Sequence, residues 1–206
     1  MDPELETQKT YNHIAERWAE EHNSQEYWRE EFELFHQLLP RGNILDVGCG
    51  PSTYHPLFQE KGYGYTGVDY AERLVAVARS RFPHASFVVG NMYDLPFACE
   101  EFDGFWAVAS LLHIPKHKIG DVLARIRGVV KKGGVGAIML KKGMGEQMAA
   151  DDNRNGDEGD RRFFAYWQRE EFIKPLEQAG FEVVNFLERE KSEGTTWITF
   201  FVRFPE

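Results

Sequence analysis

A short apolar strand that ends in an aspartate and runs straight into a tight glycine turn, Ile44-Leu45-Asp46-Val47-Gly48-Cys49-Gly50-Pro51, constrains this chain more than any other feature. Glycines tolerate positive φ and carry no Cβ, so the backbone of such a turn can come close to a bound molecule. A glycine turn after a strand is, by itself, also an ordinary strand-to-helix connection. A second acidic residue sharpens the reading. Asp69 closes the apparent strand Tyr63-Gly64-Tyr65-Thr66-Gly67-Val68, about twenty residues downstream, where a nucleotide-binding α/β unit places the acceptor for its ribose hydroxyls. Together the two features predict an adenosine-containing ligand.

Around this turn, strands and helices alternate. The pattern predicts a strand over 43–47, a helix near 53–61, a strand over 63–68 and a helix over 71–82 with Leu74, Val75 and Ala78 inward. Strands over 86–89 and 103–109 follow. Next comes a helix with Ile119, Val122, Leu123, Ile126 and Val130 on one side, and Lys132-Gly133-Gly134 turns the chain into an apolar strand over 135–140. Such βα alternation predicts a doubly wound, mostly parallel sheet whose ligands bind beyond the carboxyl ends of its strands.

Residues 1–40 read as a helical cap. Tyr11, Ile14, Ala15 and Trp18 share one helical face, and Trp28, Phe32, Phe35 and Leu39 form a second apolar stripe that Pro40-Arg41-Gly42-Asn43 closes. Residues 142–162, with interleaved acids, arginines and glycines, break the rhythm and read as a long exposed loop, either a lid or a disordered segment. Arg169–Ala179 reads as a helix capped by Gly180, with a kink or break expected at Pro175, and 181–188 and 195–204 as two last strands.

With 206 residues, 42% of them hydrophobic, the chain suits one domain over 1–206. A net charge of -9 disfavours a nucleic-acid partner. Two cysteines, Cys49 and Cys99, support neither a disulfide framework nor a cysteine-built zinc site, and no metal is expected. No apolar stretch is long enough for a membrane helix, and the acidic N-terminus does not read as a leader. The expectation is a soluble, unprocessed, cytoplasmic protein acting on a small molecule, of unspecified oligomeric state.

The segments quoted resemble the class I S-adenosylmethionine-dependent methyltransferases over roughly residues 10–190. Ile44 to Gly50 resembles the glycine motif of that family, Gly67-Val68-Asp69 its ribose-binding strand end, and Gly90-Asn91-Met92 with Asp94-Leu95-Pro96-Phe97 its adenine segment. Phe102 to Ala107 is similar to its fourth strand, and Lys131-Lys132-Gly133-Gly134 to its Lys-Pro-Gly-Gly turn without the proline. The resemblance implies a seven-stranded sheet of order 3-2-1-4-5-7-6 with strand 7 antiparallel, and S-adenosylmethionine as cofactor.

It also implies roles. Gly48 and Gly50 would lie against the methionine part of the cofactor and Asp69 would accept from both ribose hydroxyls, which suits a carboxylate facing a diol. Asp46 would hold the glycine turn near the ammonium group, Ala107 would offer its carbonyl at the end of strand 4, and Met92 would pack on the adenine. Asn91 stands where the family has aspartate; it can still serve the adenine through its amide, or be a turn residue. Tyr11 and Trp18 resemble paired aromatics folded over the sulfonium, with core packing as the other reading.

His113, just after strand 4, is the candidate general base, or a residue that shapes its loop. Arg162, Phe164 and Tyr166, within Arg161–Trp167, are candidates to hold an anionic or planar substrate, or the start of a hairpin. The function this predicts is methyl transfer to an O, N or S atom of a small organic acceptor. Two alternatives stay open: a noncatalytic cofactor-binding or partner-activating module, and an NAD-dependent oxidoreductase, for which the third glycine of the fingerprint is missing.

Overall fold

A computed structural model describes residues 2–150, 160–192 and 194–206. Seven strands build its main sheet: β1 (Asn43–Val47), β2 (Gly64–Asp69), β3 (Ser86–Val89), β4 (Phe102–Val108), β5 (Val130–Lys141), β8 (Glu182–Ser192) and β9 (Thr195–Arg203). Their order is β3-β2-β1-β4-β5-β9-β8, with β9 antiparallel to both of its neighbours. This is the expected topology. Ile44, Leu45 and Val47 of β1 are all buried, because helices cover both faces of the sheet.

The helices flanking the sheet are α4 (His55–Glu60), α5 (Glu72–Arg81), α6 (Ile119–Val129) and α7 (Arg169–Gln178). Ahead of them lie α1 (Pro3–His13), α2 (Ala15–Glu21) and α3 (Arg29–Leu38). On one face Phe32 and Phe35 of α3 close an aromatic cluster with Phe58 and Trp106; Phe32 meets Phe58 at 5.0 Å and Phe35 meets Trp106 at 5.5 Å between ring centroids. No helix among the described residues is long and apolar enough to cross a membrane.

Four expectations are corrected. The first cap helix is two helices with a turn at Ile14, although Tyr11 and Trp18 still meet edge to face at 5.4 Å. Lys132-Gly133-Gly134 lies inside β5, where the register against β4 jumps from Phe102↔Val130 to Gly104↔Val135, so the glycine turn is an irregularity of the strand. Helix α7 runs through Pro175 without a break. Fully buried Phe172 and Leu176 hold it from both sides, and a Gln168–Glu171 capping box starts it, which offsets one missing backbone hydrogen bond.

The fourth concerns 142–162. Here β6 (Glu146–Ala150) and β7 (Arg161–Ala165) form an antiparallel hairpin with Met148 opposite Phe163; the central part of the expected lid, 151–159, lies outside the described residues. Buried Phe163, Phe164 and Ala165 anchor the hairpin against the sheet end, an apolar contribution that the surrounding charges obscure in the sequence. Helix α1 is fastened to it: Thr10 Oγ1 donates to the Arg161 carbonyl at 2.7 Å, and the Phe163 amide donates to Thr7 Oγ1 at 2.8 Å.

Candidate cofactor and acceptor site

Beyond the carboxyl ends of β1, β2 and β4 lies a cavity of about 460 Å³, roofed by α1 and α2. Its floor is the glycine turn. The amides of Gly48 and Cys49 both donate to the Val68 carbonyl, at 2.8 and 3.0 Å, and fold the turn back over β2. Gly67, beneath it, has no room for a side chain, since a Cβ there would stand 2.8 Å from Cys49 Sγ. Gly48 has φ +73°, and a Cβ on it would come within 2.3 Å of Ser110 Cβ. The turn thus presents bare backbone to the cavity, as close approach to a ligand requires.

Two buried carboxylates border this turn. The Gly50 amide donates to Asp69 Oδ2 at 2.9 Å and the Ala71 amide to Asp69 Oδ1 at 2.8 Å. It is therefore Asp69, and not Asp46, that clamps the glycine turn. Asp46 instead accepts from the Tyr65 hydroxyl at 2.5 Å, which in turn lies 2.7 Å from Ser52 Oγ. Burial pushes the carboxyl of Asp46 up to about 7, against the pull of Tyr65, and that of Asp69 up to about 6, against three backbone amides. Neither forms an ion pair with lysine or arginine among the described residues. A floor of this kind favours a ligand that brings hydroxyl donors and positive charge.

The wall near β4 is a chain of hydrogen bonds. Arg162 Nη1 donates to the Tyr11 hydroxyl at 3.0 Å, the hydroxyl lies 2.8 Å from His113 Nε2, and His113 Nδ1 lies 2.6 Å from the Phe163 carbonyl. Since a carbonyl only accepts, Nδ1 carries the proton and Nε2 accepts from Tyr11. Burial, reinforced by the Arg162 guanidinium, pushes His113 down to about 3. His113 lines the cavity, but its basic nitrogen is spoken for; the geometry supports the loop-shaping and Tyr11-holding role over that of general base. The guanidinium also sits 4.6 Å from the Trp18 ring centroid and 5.3 Å from that of Tyr11, so the aromatic face expected over a sulfonium already has a cation within the protein.

Of the other expected residues, Tyr11, Trp18, Gly48, Gly50, Asn91 and Met92 line the cavity. Asn91 Oδ1 accepts from the Tyr93 amide at 3.0 Å, so it serves the turn and keeps its amide nitrogen as a donor. Ala107 does not reach the cavity. It is fully buried within β4, paired with Ile138, and the next two residues, Val108 and Ala109, form the lining. Arg162 and Phe164 stand behind Tyr11 and His113 rather than on the cavity surface, and Tyr166 turns to Gln147 on the hairpin, at 3.1 Å.

The lining also contains residues that sequence reasoning did not assign: Gln8, His22, Trp28, Tyr54, Tyr70 and Ser110. His22 stands four residues after Trp18 and stacks on it at 3.5 Å, a spacing that could have flagged it. Trp28 was legible only as part of an apolar stripe.

A doubly wound sheet with a glycine turn after β1 and an acidic residue ending β2 defines a nucleotide-binding α/β domain. Residues 44–134 match a family model described as a methyltransferase domain. An uncharacterized methyltransferase of Synechocystis is 27% identical over 114 residues, 52% of this chain and 54% of that protein. The demethylmenaquinone methyltransferase of Symbiobacterium thermophilum is 34% identical over 121 residues, 53% of this chain and 46% of that protein. The chain thus spans about half the length of these curated relatives. In fold it is similar to the 1,6-didemethyltoxoflavin-N1-methyltransferase of Burkholderia thailandensis, solved with 1,6-didemethyltoxoflavin and S-adenosylhomocysteine. The TM-score is 0.80 over 98% of this chain and 88% of that one, at 20% identity. By this match residues 44–134 are similar to a methyltransferase domain, and the sheet has the fold of that solved methyltransferase.

Proposed function

We propose that this chain transfers the methyl group of S-adenosylmethionine to an O, N or S atom of a small organic acceptor. The observation that carries the reading is the pair of buried carboxylates, Asp46 and Asp69, flanking a bare glycine turn with no lysine or arginine paired to them among the described residues. Such a floor fits a cofactor with a ribose diol, an ammonium and a sulfonium. When bound, the cofactor supplies an electrophilic methyl group on a good leaving group. Asp69 would receive the ribose hydroxyls with the lone pairs its two amide donors leave over, and Asp46 would face the ammonium. Met92 and the Asn91 amide would hold the adenine.

What the protein adds is alignment. Tyr11, fixed by Arg162 and His113, and the roof of α1 and α2 exclude water and confine the acceptor beside the methyl carbon. His113→Ala is then expected to lower turnover about tenfold by releasing Tyr11, by the same factor at every pH from about 5 to about 8. A loss that grows as pH rises would restore the base role. Tyr11→Phe should cost a similar factor, and the double variant little more than either alone, as groups acting as a unit do.

The carboxylates give a pH signature. Both hold their protons more tightly in the folded chain than at the ordinary value of 3.8. In the absence of ligand their contribution to stability is therefore present at low pH and is lost as pH rises through about 6 for Asp69 and about 7 for Asp46. An ammonium set against them favours the ionised forms, so the rise in Tm caused by S-adenosylhomocysteine, whose amino acid end carries one, should be larger at about pH 8 than at about pH 5.5. Calorimetry in buffers of different ionisation enthalpy should show proton release on binding near neutral pH. No proton release would remove Asp46 from the ammonium site.

The direct test is calorimetric binding of S-adenosylhomocysteine followed by labelled-methyl transfer to an acceptor panel. Tight binding with no transfer to any acceptor class would favour the noncatalytic module.

A further inference from the structure

Sheet order divides the cavity. A cofactor held by Asp46, Asp69 and Asn91 runs from β1 across β2 to β3, which leaves the side nearest β4 and the roof to the acceptor; this rests on the function proposed above. The lining includes the aromatic walls Trp18, His22, Trp28 and Tyr54, and the end of β4 adds Val108, Ala109, Ser110 and His113. His22 and Trp18 are stacked within 20° of parallel, and Trp28 is braced edge-on by Trp197 at 5.1 Å, so these flat walls are held in place before any ligand arrives.

Charge on the cavity surface is one-sided. Among the described residues Asp2, Glu4, Asp46 and Asp69 line it, against the lysine Lys118, which Glu4 already engages at 2.6 Å. Arg162, expected to receive an anion, is not on the surface and gives its guanidinium to Tyr11 and the ring of Trp18. Among the described lining residues His22 is a further group able to carry positive charge, and its Nδ1 lies 3.1 Å from the Trp18 carbonyl. A carboxylate or phosphate acceptor would meet, among the described residues, four carboxylates against one lysine that Glu4 already engages, whereas a flat uncharged ring would meet π surfaces.

We infer that the acceptor is an uncharged, planar aromatic or heteroaromatic molecule bearing the methylated O, N or S atom. The atoms balance simply. The acceptor atom forms a bond to the methyl carbon as the carbon–sulfur bond breaks, its electron pair stays on sulfur as a thioether, and any proton on the acceptor leaves to solvent.

The test uses the chain saturated with S-adenosylhomocysteine and three probes: 4-hydroxyquinoline, its 2-carboxylate, and cyclohexanol as a saturated neutral control. Binding is read by titration calorimetry. The neutral quinoline should bind at least about tenfold tighter than either other probe, and His22→Ala should weaken it about tenfold while leaving S-adenosylhomocysteine affinity unchanged. Equal or tighter binding of the carboxylate overturns the inference, and more so if it strengthens as pH falls, which would assign an anion site to protonated His22. Equal binding of cyclohexanol, or no binding of any probe to the loaded protein, also overturns it. Failure to bind S-adenosylhomocysteine would instead overturn the function proposed above.

Discussion

Asp69→Asn is expected to weaken S-adenosylhomocysteine binding by about 3 kcal/mol, roughly a hundredfold, because three sets of donors depend on one carboxylate. Its two oxygens already take the Gly50 and Ala71 amides. Asparagine keeps the shape but has a single acceptor atom, so its amide nitrogen would face one of those N–H groups and the glycine turn would lose a support. The ribose hydroxyls lose charge-assisted bonds as well. An analogue of S-adenosylhomocysteine lacking both ribose hydroxyls separates the two contributions: the variant should discriminate against it less than the native protein does. Unchanged affinity of a folded Asp69→Asn protein for the complete ligand would remove the ribose assignment.

The glycine-turn side of the cavity was legible because its determinants are local. Strand, turn and terminal acid lie close together along the chain, and each has a conformational reason to be where it is, as with Gly48 at φ +73°. The exchange of tasks between Asp46 and Asp69 was not legible. It depends on the parallel register that sets Asp46 beside Gly67 and brings the Gly50 amide within reach of the end of β2. Ala107 lies inside β4, paired with Ile138, and the lining begins only at Val108 and at Ala109, whose φ of +49° turns the chain.

The wall near β4 depends on contacts between distant segments. Arg162 meets Tyr11 across 151 positions and His113 meets Phe163 across 50, and neither pairing leaves a periodic trace in the sequence. Charged residues made 142–162 read as a loop where β6 lies, whereas the hairpin reading of Arg161–Trp167 is the one the pairing of β6 with β7 bears out, anchored by Phe163 and Phe164. The aromatic face of Tyr11 and Trp18 meets a cation within the protein, the Arg162 guanidinium from that hairpin. Cap and hairpin are thereby tied into one cover, through Thr7, Thr10 and Arg162.

Gly48→Ala should abolish cofactor binding in the assay range and lower stability by about 3 kcal/mol, for two separable reasons. At φ +73° a non-glycine residue is strained by roughly 1–2 kcal/mol. The added Cβ would also stand 2.3 Å from Ser110 Cβ and 2.8 Å from Met92 Cε. Met92 ends in a flexible methyl and can move, but Ser110 cannot, because it is buried and its hydroxyl donates to the Val47 carbonyl at 2.6 Å. Ser110→Gly on the Gly48→Ala background should therefore return the steric part of the loss and leave the backbone strain. Thermal melts and S-adenosylhomocysteine titrations of the two single variants and the double variant measure the coupling. Additive losses would mean that the turn and the start of the β4 loop do not press on one another, and the bare backbone at Gly48 would then need another cause.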